Sequence, residues 1–420
     1  MIENRQYTIS NAELEKSEPL LSGIERALGP SAFRWYVSQV TKEQIVVEAT
    51  LNDEDHLRGD RPVEYERRHY PGKSVLLSVI PTGIGCSIGG YAGDASGVTN
   101  LLASTVDYLL THPNALNASD FIGLASENIV YADGYCIDQF SKGLADLHLP
   151  SSNRVGLIIE KADSRKLELI FNIVNTVRAV HGVSITDYVI TDQPIGGRCV
   201  ENGSGAFSGS VDNLDVLLRS AEKLIGNGVN AIAVTSDIQD LPLDNYAKHF
   251  QGQYPNPVGG VEAVISYSVS RKFQVPCAHA PLLNVKQLDL STDVVDARGA
   301  GEMSSASGLA CILIGLRRAP QVKPGYNTRT MDIINMHNLL AVVSPASSVG
   351  GIPMICSQKY GIPLVVVTGN ETVFDVTAEK LGFKNVIEVR NYAEAAGIVL
   401  ALKRGISPEA ISRPLRTLRP

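Results

Sequence analysis

Two loops hold the residue types that chemistry on a small polar molecule requires. The first reads Pro81-Thr82-Gly83-Ile84-Gly85-Cys86-Ser87-Ile88-Gly89-Gly90-Tyr91-Ala92-Gly93-Asp94, between an apolar run ending at Ile80 and a helical pattern beginning at Ser96. Glycine lets backbone approach a ligand and adopt positive φ. A glycine-rich strand-to-helix turn also aims free N–H groups and a positive helix end at an anion. Thr82, Gly83, Gly85, Gly89, Gly90, Tyr91 and Asp94 are therefore candidate substrate-binding residues; a tight turn that serves packing alone is the competing reading. The second loop, His112-Pro113-Asn114-Ala115-Leu116-Asn117-Ala118-Ser119-Asp120, follows the run Val106–Leu110. Its imidazole is the commonest kind of general acid or base and titrates near neutrality. Asn114, Asn117 and Asp120 would orient His112 or a substrate. A buried histidine that fixes a turn is the alternative.

Other candidates lie further along the chain. His279 stands among small residues in Pro276–Pro281, at a strand end. Glu262 and Glu302 sit beside glycine-rich turns, Ser266 follows Glu262 by four residues, and Asn370 falls in a strand-end loop. His279 and Glu302 join His112 and Asp120 as candidate catalytic groups; Glu262, Ser266 and Asn370 are candidate substrate ligands. Ser304 to Ser307 could cap a following helix, and Glu302 could be a cap or ion-pair partner instead. The stretch Gly196–Gly209 is flexible by composition and carries Arg198, which suggests a lid whose arginine grips a carboxylate. A plain connection is the bland reading.

Several chemistries are disfavoured. The glycine loop lacks both the G-x-G-x-x-G spacing of a dinucleotide fingerprint and the Lys-Ser/Thr of a P-loop, so the cofactor stays unknown. No H-x-x-x-H or H-x-H pair exists, and His112, His279, Asp120 and Glu302 would meet on a metal only if distant loops converged; none is expected. Cys86 and Cys356 each follow a glycine turn, as a two-thiol racemase would need, but Cys356 falls inside a predicted helix where it would be packed.

The elements that must position these groups follow a repeating pattern. Short Val/Ile-rich runs (74–80, 106–110, 155–159, 187–190, 231–234, 339–343, 364–367, 386–389) alternate with amphipathic segments (96–102, 166–180, 211–225, 351–360, 392–404). A short helix is also expected near Glu379. The pattern predicts an α/β protein with Rossmann-like parallel sheets flanked by helices. Residues 1–70 differ: a helical stretch at 13–28 and strand-like runs at 33–37 and 44–48 predict a small α+β module, structural or oligomeric in role, ending in a charged linker at 52–69. Residues 71–150 with 331–420 are expected to form an α/β domain carrying the glycine loop, and 151–330 a second one. In such sheets ligands bind beyond the carboxyl ends of the strands, where polar residues here collect repeatedly.

The formal charge of −7 argues against a nucleic-acid surface, and 44% hydrophobic with 19% charged residues suits a globular enzyme. Six dispersed cysteines without a C-x-x-C pair oppose a zinc finger or a disulfide framework. Met1–Arg5 has no apolar core of a leader and no run of about 18 apolar residues follows, so a cytoplasmic protein without a membrane partner is expected.

The segments 81–85, 88–94, 112–114 and 117–120 resemble a bacterial and cyanobacterial family defined by a domain of unknown function. The resemblance extends through 259–266, 278–281, 315–320, 349–351 and 369–372, and so spans most of residues 72–415. It implies a Ser-His pair after Ile265, where this chain has Ser266-Tyr267. It implies no particular reaction. The residues together lead us to expect an enzyme of lyase, isomerase or hydrolase type, a homo-oligomer, acting on a small carboxylate- or amide-bearing metabolite with His112 and Asp120 as acid and base. A nucleotide-dependent ligase or transferase and a non-catalytic metabolite sensor are the alternatives.

Overall fold

The computed structural model describes residues 2–14, 19–52, 73–116, 126–239, 242–282, 294–304, 307–324 and 333–419. Asn117 and Asp120 lie outside the described residues, as does most of the charged linker.

The N-terminal module consists of β1 (Ile2–Ser10), α1 (Leu20–Leu28), β2 (Ala32–Val40) and β3 (Gln44–Asn52). Its antiparallel sheet has the order β1-β3-β2. The next stretch runs β4 (Val75–Ser78), α2 (Ser96–Ala103), β5 (Tyr108–Thr111), α3 (Pro113–Leu116), β6 (Ile129–Tyr131), α4 (Gly134–Ser141) and β7 (Ala145–His148). The central region contains β8 (Arg154–Ile159), α5 (Ser164–His181), β9 (Ser184–Ile190), β10 (Gly197–Glu201), β11 (Phe207–Val211), α6 (Leu214–Gly226), β12 (Ala231–Ser236), β13 (Ile238–Gln239), α7 (Leu243–Phe250), α8 (Gly259–Phe273), β14 (Cys277–Pro281), α9 (Ala300–Ser304) and α10 (Leu309–Leu316). After β15 (Gln321–Pro324) and β16 (Ile333–Ile334) the chain closes with β17 (Leu339–Pro345), α11 (Ile352–Lys359), β18 (Leu364–Val367), β19 (Val386–Val389), α12 (Tyr392–Lys403) and α13 (Pro408–Ile411).

Two parallel sheets carry the architecture, as the alternating pattern predicts. One has six strands in the order β19-β18-β17-β4-β5-β6 and the other four, β14-β12-β8-β9. All their pairings are parallel. Strand residues point alternately to opposite faces, and both faces here are apolar and covered. Val75 and Leu77 pack with Ile137 and Phe140 of α4. Leu76 packs on the other face with Leu102 of α2 and Val399 of α12. In the four-stranded sheet Leu157 faces α5 and α10 through Ile170 and Leu313. Ile158 faces α6 and α8 through Leu217 and Ile265. Helix starts are fixed by side chains: Asp163 accepts the Lys166 N–H at 2.9 Å and Asn391 that of Glu394 at 3.0 Å, each satisfying an orphan donor of the first turn.

Two local expectations change. The stretch 196–209 is an ordered antiparallel hairpin, β10 against β11, not a loose loop; its residues pair in regular register from Gly197 with Val211 to Glu201 with Phe207. Residues 378–382 form turns instead of a helix.

Candidate functional site

The carboxyl ends of both parallel sheets open on one cavity of about 510 Å³, within the range of small-molecule sites. The six-stranded sheet contributes Val79 and Pro81 after β4, His112 after β5, Asp133 after β6 and Ser348 after β17. The four-stranded sheet contributes His279 to Pro281 from β14. The wall is mostly apolar, with Trp35, Ile137, Phe207, Ile352, Met354 and Phe374 among its residues.

On this wall two glutamates are each backed by a buried histidine. Glu262 stands in the first turn of α8 and keeps 22% of its side chain open; His279 Nδ1 lies behind it, 3.5 Å from Oε1. His279 Nε2 is 2.8 Å from the Ser236 hydroxyl, which holds the ring. The second pair is Glu302, on α9, and His249, on α7. Glu302 accepts from the Ala92 N–H and from Asn256 Nδ2, both at 3.3 Å. His249 Nε2 lies 3.7 Å from the remaining reach of Glu302 Oε2. His249 Nδ1 donates to the Tyr254 carbonyl at 3.1 Å; a carbonyl only accepts, so that nitrogen carries a proton. Nε2 then faces the Glu302 carboxyl from just beyond hydrogen-bond reach and has no hydrogen-bond partner among the described residues.

The two pairs are electrostatically linked. Burial pushes the Glu262 carboxyl up, His279 opposes this, and Glu302 pushes it further in the same direction. Negative charge nearby thus disfavours the charged form of Glu262. Such a wall can hold one group as acid and another as base at the same pH.

The sequence candidates separate into three sets. Thr82, His112, Asn114, Glu262, Ser266, His279 and Glu302 all line the cavity. Tyr91 is one layer behind: its ring stacks on His249 with centroids 4.2 Å apart, and its hydroxyl donates to the His249 carbonyl. Gly83, Gly85, Gly89, Gly90, Asp94, Arg198 and Asn370 do not line it. The glycines serve packing. A Cβ on Gly89 would lie 2.2 Å from Ile80 Cγ2, and one on Gly90 2.3 Å from the Cys86 carbonyl oxygen. Gly90→Val should therefore lower the melting temperature, by an amount matching more than about 2 kcal/mol. A variant that melts like the parent but fails to bind ligand would return this loop to the site.

Asp94, pushed up to about 6 by burial, accepts from the Tyr91 N–H within its own loop. Arg198 is paired with Asp212 at 2.8 Å, so the expected lid arginine is a hairpin ion pair. Asn370 clamps the glycine loop, exchanging bonds with the Ile88 N–H and carbonyl and donating to Tyr392. Cys86 and Cys356 are both buried away from the cavity with thiols pushed up by burial, which removes two-thiol chemistry.

His112 also changes role. Burial lowers it to about 4, so the expected titration near neutrality does not hold. Its Nε2 accepts the Ile80 N–H at 3.3 Å, which leaves the proton on Nδ1. A neutral imidazole of this kind has an Nδ1–H to donate and is a weak base near neutrality. The linkage follows: a folded value below the unfolded one gives stability present above about 6.5 and lost as pH falls toward 4. Between pH 6.5 and 4.5 the denaturation free energy of His112→Gln should fall less than that of the parent; equal losses would contradict this.

Sequence reasoning missed His249, Asn256, Asp138 and Arg34. Tyr246, His249 and Phe250 are the buried face of α7, and a histidine on that apolar stripe was the one available signal. Arg34, Trp35 and Tyr36 come from β2, so the N-terminal module is part of the site wall and not structural alone.

A family model described as "Protein of unknown function (DUF3326)" matches residues 74–412. The chain belongs to this family. The membership bears out the resemblance carried by the two loops, and the Ser266-Tyr267 departure now has a place: Tyr267 lines the cavity and donates to Asp138 at 3.0 Å. An uncharacterized lipoprotein of the cyanobacterium Synechococcus is 37% identical over 350 residues, 81% of this chain and 94% of that protein. Its name overturns the expectation of a cytoplasmic protein, which rested on the first five residues and the lack of an apolar run. Among the described residues no helix is long and apolar enough to cross a membrane. A periplasmic ribose ABC transporter structure from Conexibacter woesei covers 50% of this chain and 89% of its own at 10% identity, with a TM-score of 0.16. That likeness supports no statement about ligand or fold.

Proposed function

We propose that the cavity is the active site of an enzyme that acts by acid–base chemistry on a small carboxylate- or amide-bearing metabolite, as a lyase, isomerase or hydrolase. The observation that carries this reading is that two glutamates line one cavity, Glu262 and Glu302, each with a buried histidine behind it, His279 and His249. Glu262 takes or gives the substrate proton. His279 behind it stabilises the carboxylate form, and Ser236 holds His279 in place. Glu302 serves as the second proton station. Neutral His112 donates from Nδ1 to a substrate carbonyl or carboxylate oxygen. Mostly apolar walls keep water from the transfer, which strengthens each of these interactions.

Proton NMR of the protein incubated with a panel of carboxylates and amides tests the proposal. A new product, or loss of a carbon-bound proton signal, from at least one compound is expected. Binding detected by thermal shift without any chemical change would favour the sensor.

A further inference from the structure

The charges that line the cavity are unequal. Among the described residues that line the cavity Arg34 is the one lysine or arginine, against the carboxyls of Asp133, Asp138, Glu262 and Glu302. Asp138 is attracted by Lys142, which is already paired with Glu25 at 2.7 Å and does not line the cavity. Arg34, which does line it, attracts Asp138 less strongly and closes no ion pair with any described residue. Its guanidinium lies over the Tyr36 ring, 5.7 Å from the centroid. Asp138 is held in place by the Tyr267 hydroxyl.

Next to Arg34 is the start of α11. The Val37 N–H donates to the Gly350 carbonyl at 3.0 Å and Tyr36 bridges Gly351, so β2 runs alongside that helix end. Gly351 is the N-cap and supplies no side-chain cap. Pro353 in that first turn has no N–H to give, so what the helix start offers an anion is the positive end of its dipole with the Ile352 and Met354 N–H groups. Ser348 belongs to the same wall: the residue is 4% exposed and lines the cavity, and its buried hydroxyl has no hydrogen-bond partner among the described residues. Buried hydroxyls are nearly always bonded, so this orphan beside the cavity has a bond left to make with a ligand atom or a water.

We propose that this end of the cavity binds the zwitterionic head of an α-amino acid. The carboxylate sits between the Arg34 guanidinium, the start of α11 and the Ser348 hydroxyl, and the ammonium sits on Asp138. The inference rests on the cavity being the ligand site of the proposed enzyme and names its substrate class. A doubly charged phosphate would meet four carboxyls and one cation, which Coulomb repulsion disfavours. A simple amine would leave Arg34 and the helix end unmatched. A zwitterion matches both, and Ile137, Met354 and Phe374 offer an apolar surface to its side chain.

Calorimetric titration of the full chain with each of the twenty amino acids, and with the des-amino and decarboxylated analogues of any that binds, tests this. At least one amino acid should bind, and both of its analogues at least about ten-fold more weakly. Arg34→Gln should weaken the amino acid on the order of 10–100-fold and leave the decarboxylated amine unchanged. Asp138→Asn should weaken the amino acid and leave the des-amino acid unchanged. Melting curves of the unliganded variants, with Arg34→Lys alongside, confirm that each is folded. No binding by any of the twenty, a des-amino analogue that binds equally well, or an unaffected Arg34→Gln would overturn the proposal. Glu262→Gln separates the two readings. It should keep amino-acid binding, so binding without any loss of turnover in that variant sinks the acid–base reading and leaves head-group recognition standing.

Discussion

Glu262→Gln should slow turnover by roughly 10²–10⁴-fold while substrate affinity changes little. The amide has the shape of the carboxyl but cannot accept a proton, and it keeps the first-turn position on α8 that presents it to the cavity. His279 retains its bond to the Ser236 hydroxyl, so the wall behind is not dismantled. A general base acts chiefly in the transition state, which is why the loss should appear in kcat and not in binding. The kinetic constants and a calorimetric Kd for one substrate check this. Near-normal kcat in a folded Glu262→Gln protein would transfer the proton step to Glu302.

The second large effect is on folding. Gly209→Val should give little or no soluble native protein, a loss of more than about 4 kcal/mol. Here α8 crosses β11 with backbone against backbone: a Cβ on Gly209 would lie 2.2 Å from Val261 Cα and 2.7 Å from its nitrogen. From the other side, a Cβ on Gly260 would lie 2.4 Å from the Phe207 carbonyl oxygen. Neither contact involves a flexible side-chain tip that could swing aside. The close approach sets where α8 begins, and therefore where Glu262 stands. Circular dichroism and thermal melting decide it; a Gly209→Val protein that melts like the parent would mean the helix can retreat without loss.

The α/β class and the parallel strands are legible in the sequence because strands buried on both faces leave uninterrupted runs such as Val75-Leu76-Leu77. His112, Glu262, His279 and Glu302 are legible as candidates because strand ends and glycine-rich turns are where such sheets present their ligands. Their pairing is not. Glu302 meets His249, and Glu262 meets His279, only after α7, α8, α9 and β14 have packed together, and no local spacing encodes that meeting. The glycines of the first loop misled for a related reason. Composition shows that a backbone comes close to something at Gly89 and Gly90, but not that the something is Ile80 and the Cys86 carbonyl. His112 failed on burial: its environment lowers it to about 4, which its neighbours in sequence do not reveal. The wall from Arg34 to Tyr36 belongs to a module that carries no motif, and its contact with Gly350 and Gly351 is purely tertiary.

Transfer of solvent hydrogen to the ligand tests the central claim most directly. In heavy water the parent protein should place deuterium on a carbon beside the acid group of a bound carboxylate, read by NMR as loss of that proton signal, and Glu262→Gln should do so at least about a hundred-fold more slowly. A ligand that binds in the cavity, contacts Glu262 and Glu302, and neither exchanges a proton with solvent nor is converted to product would contradict the account.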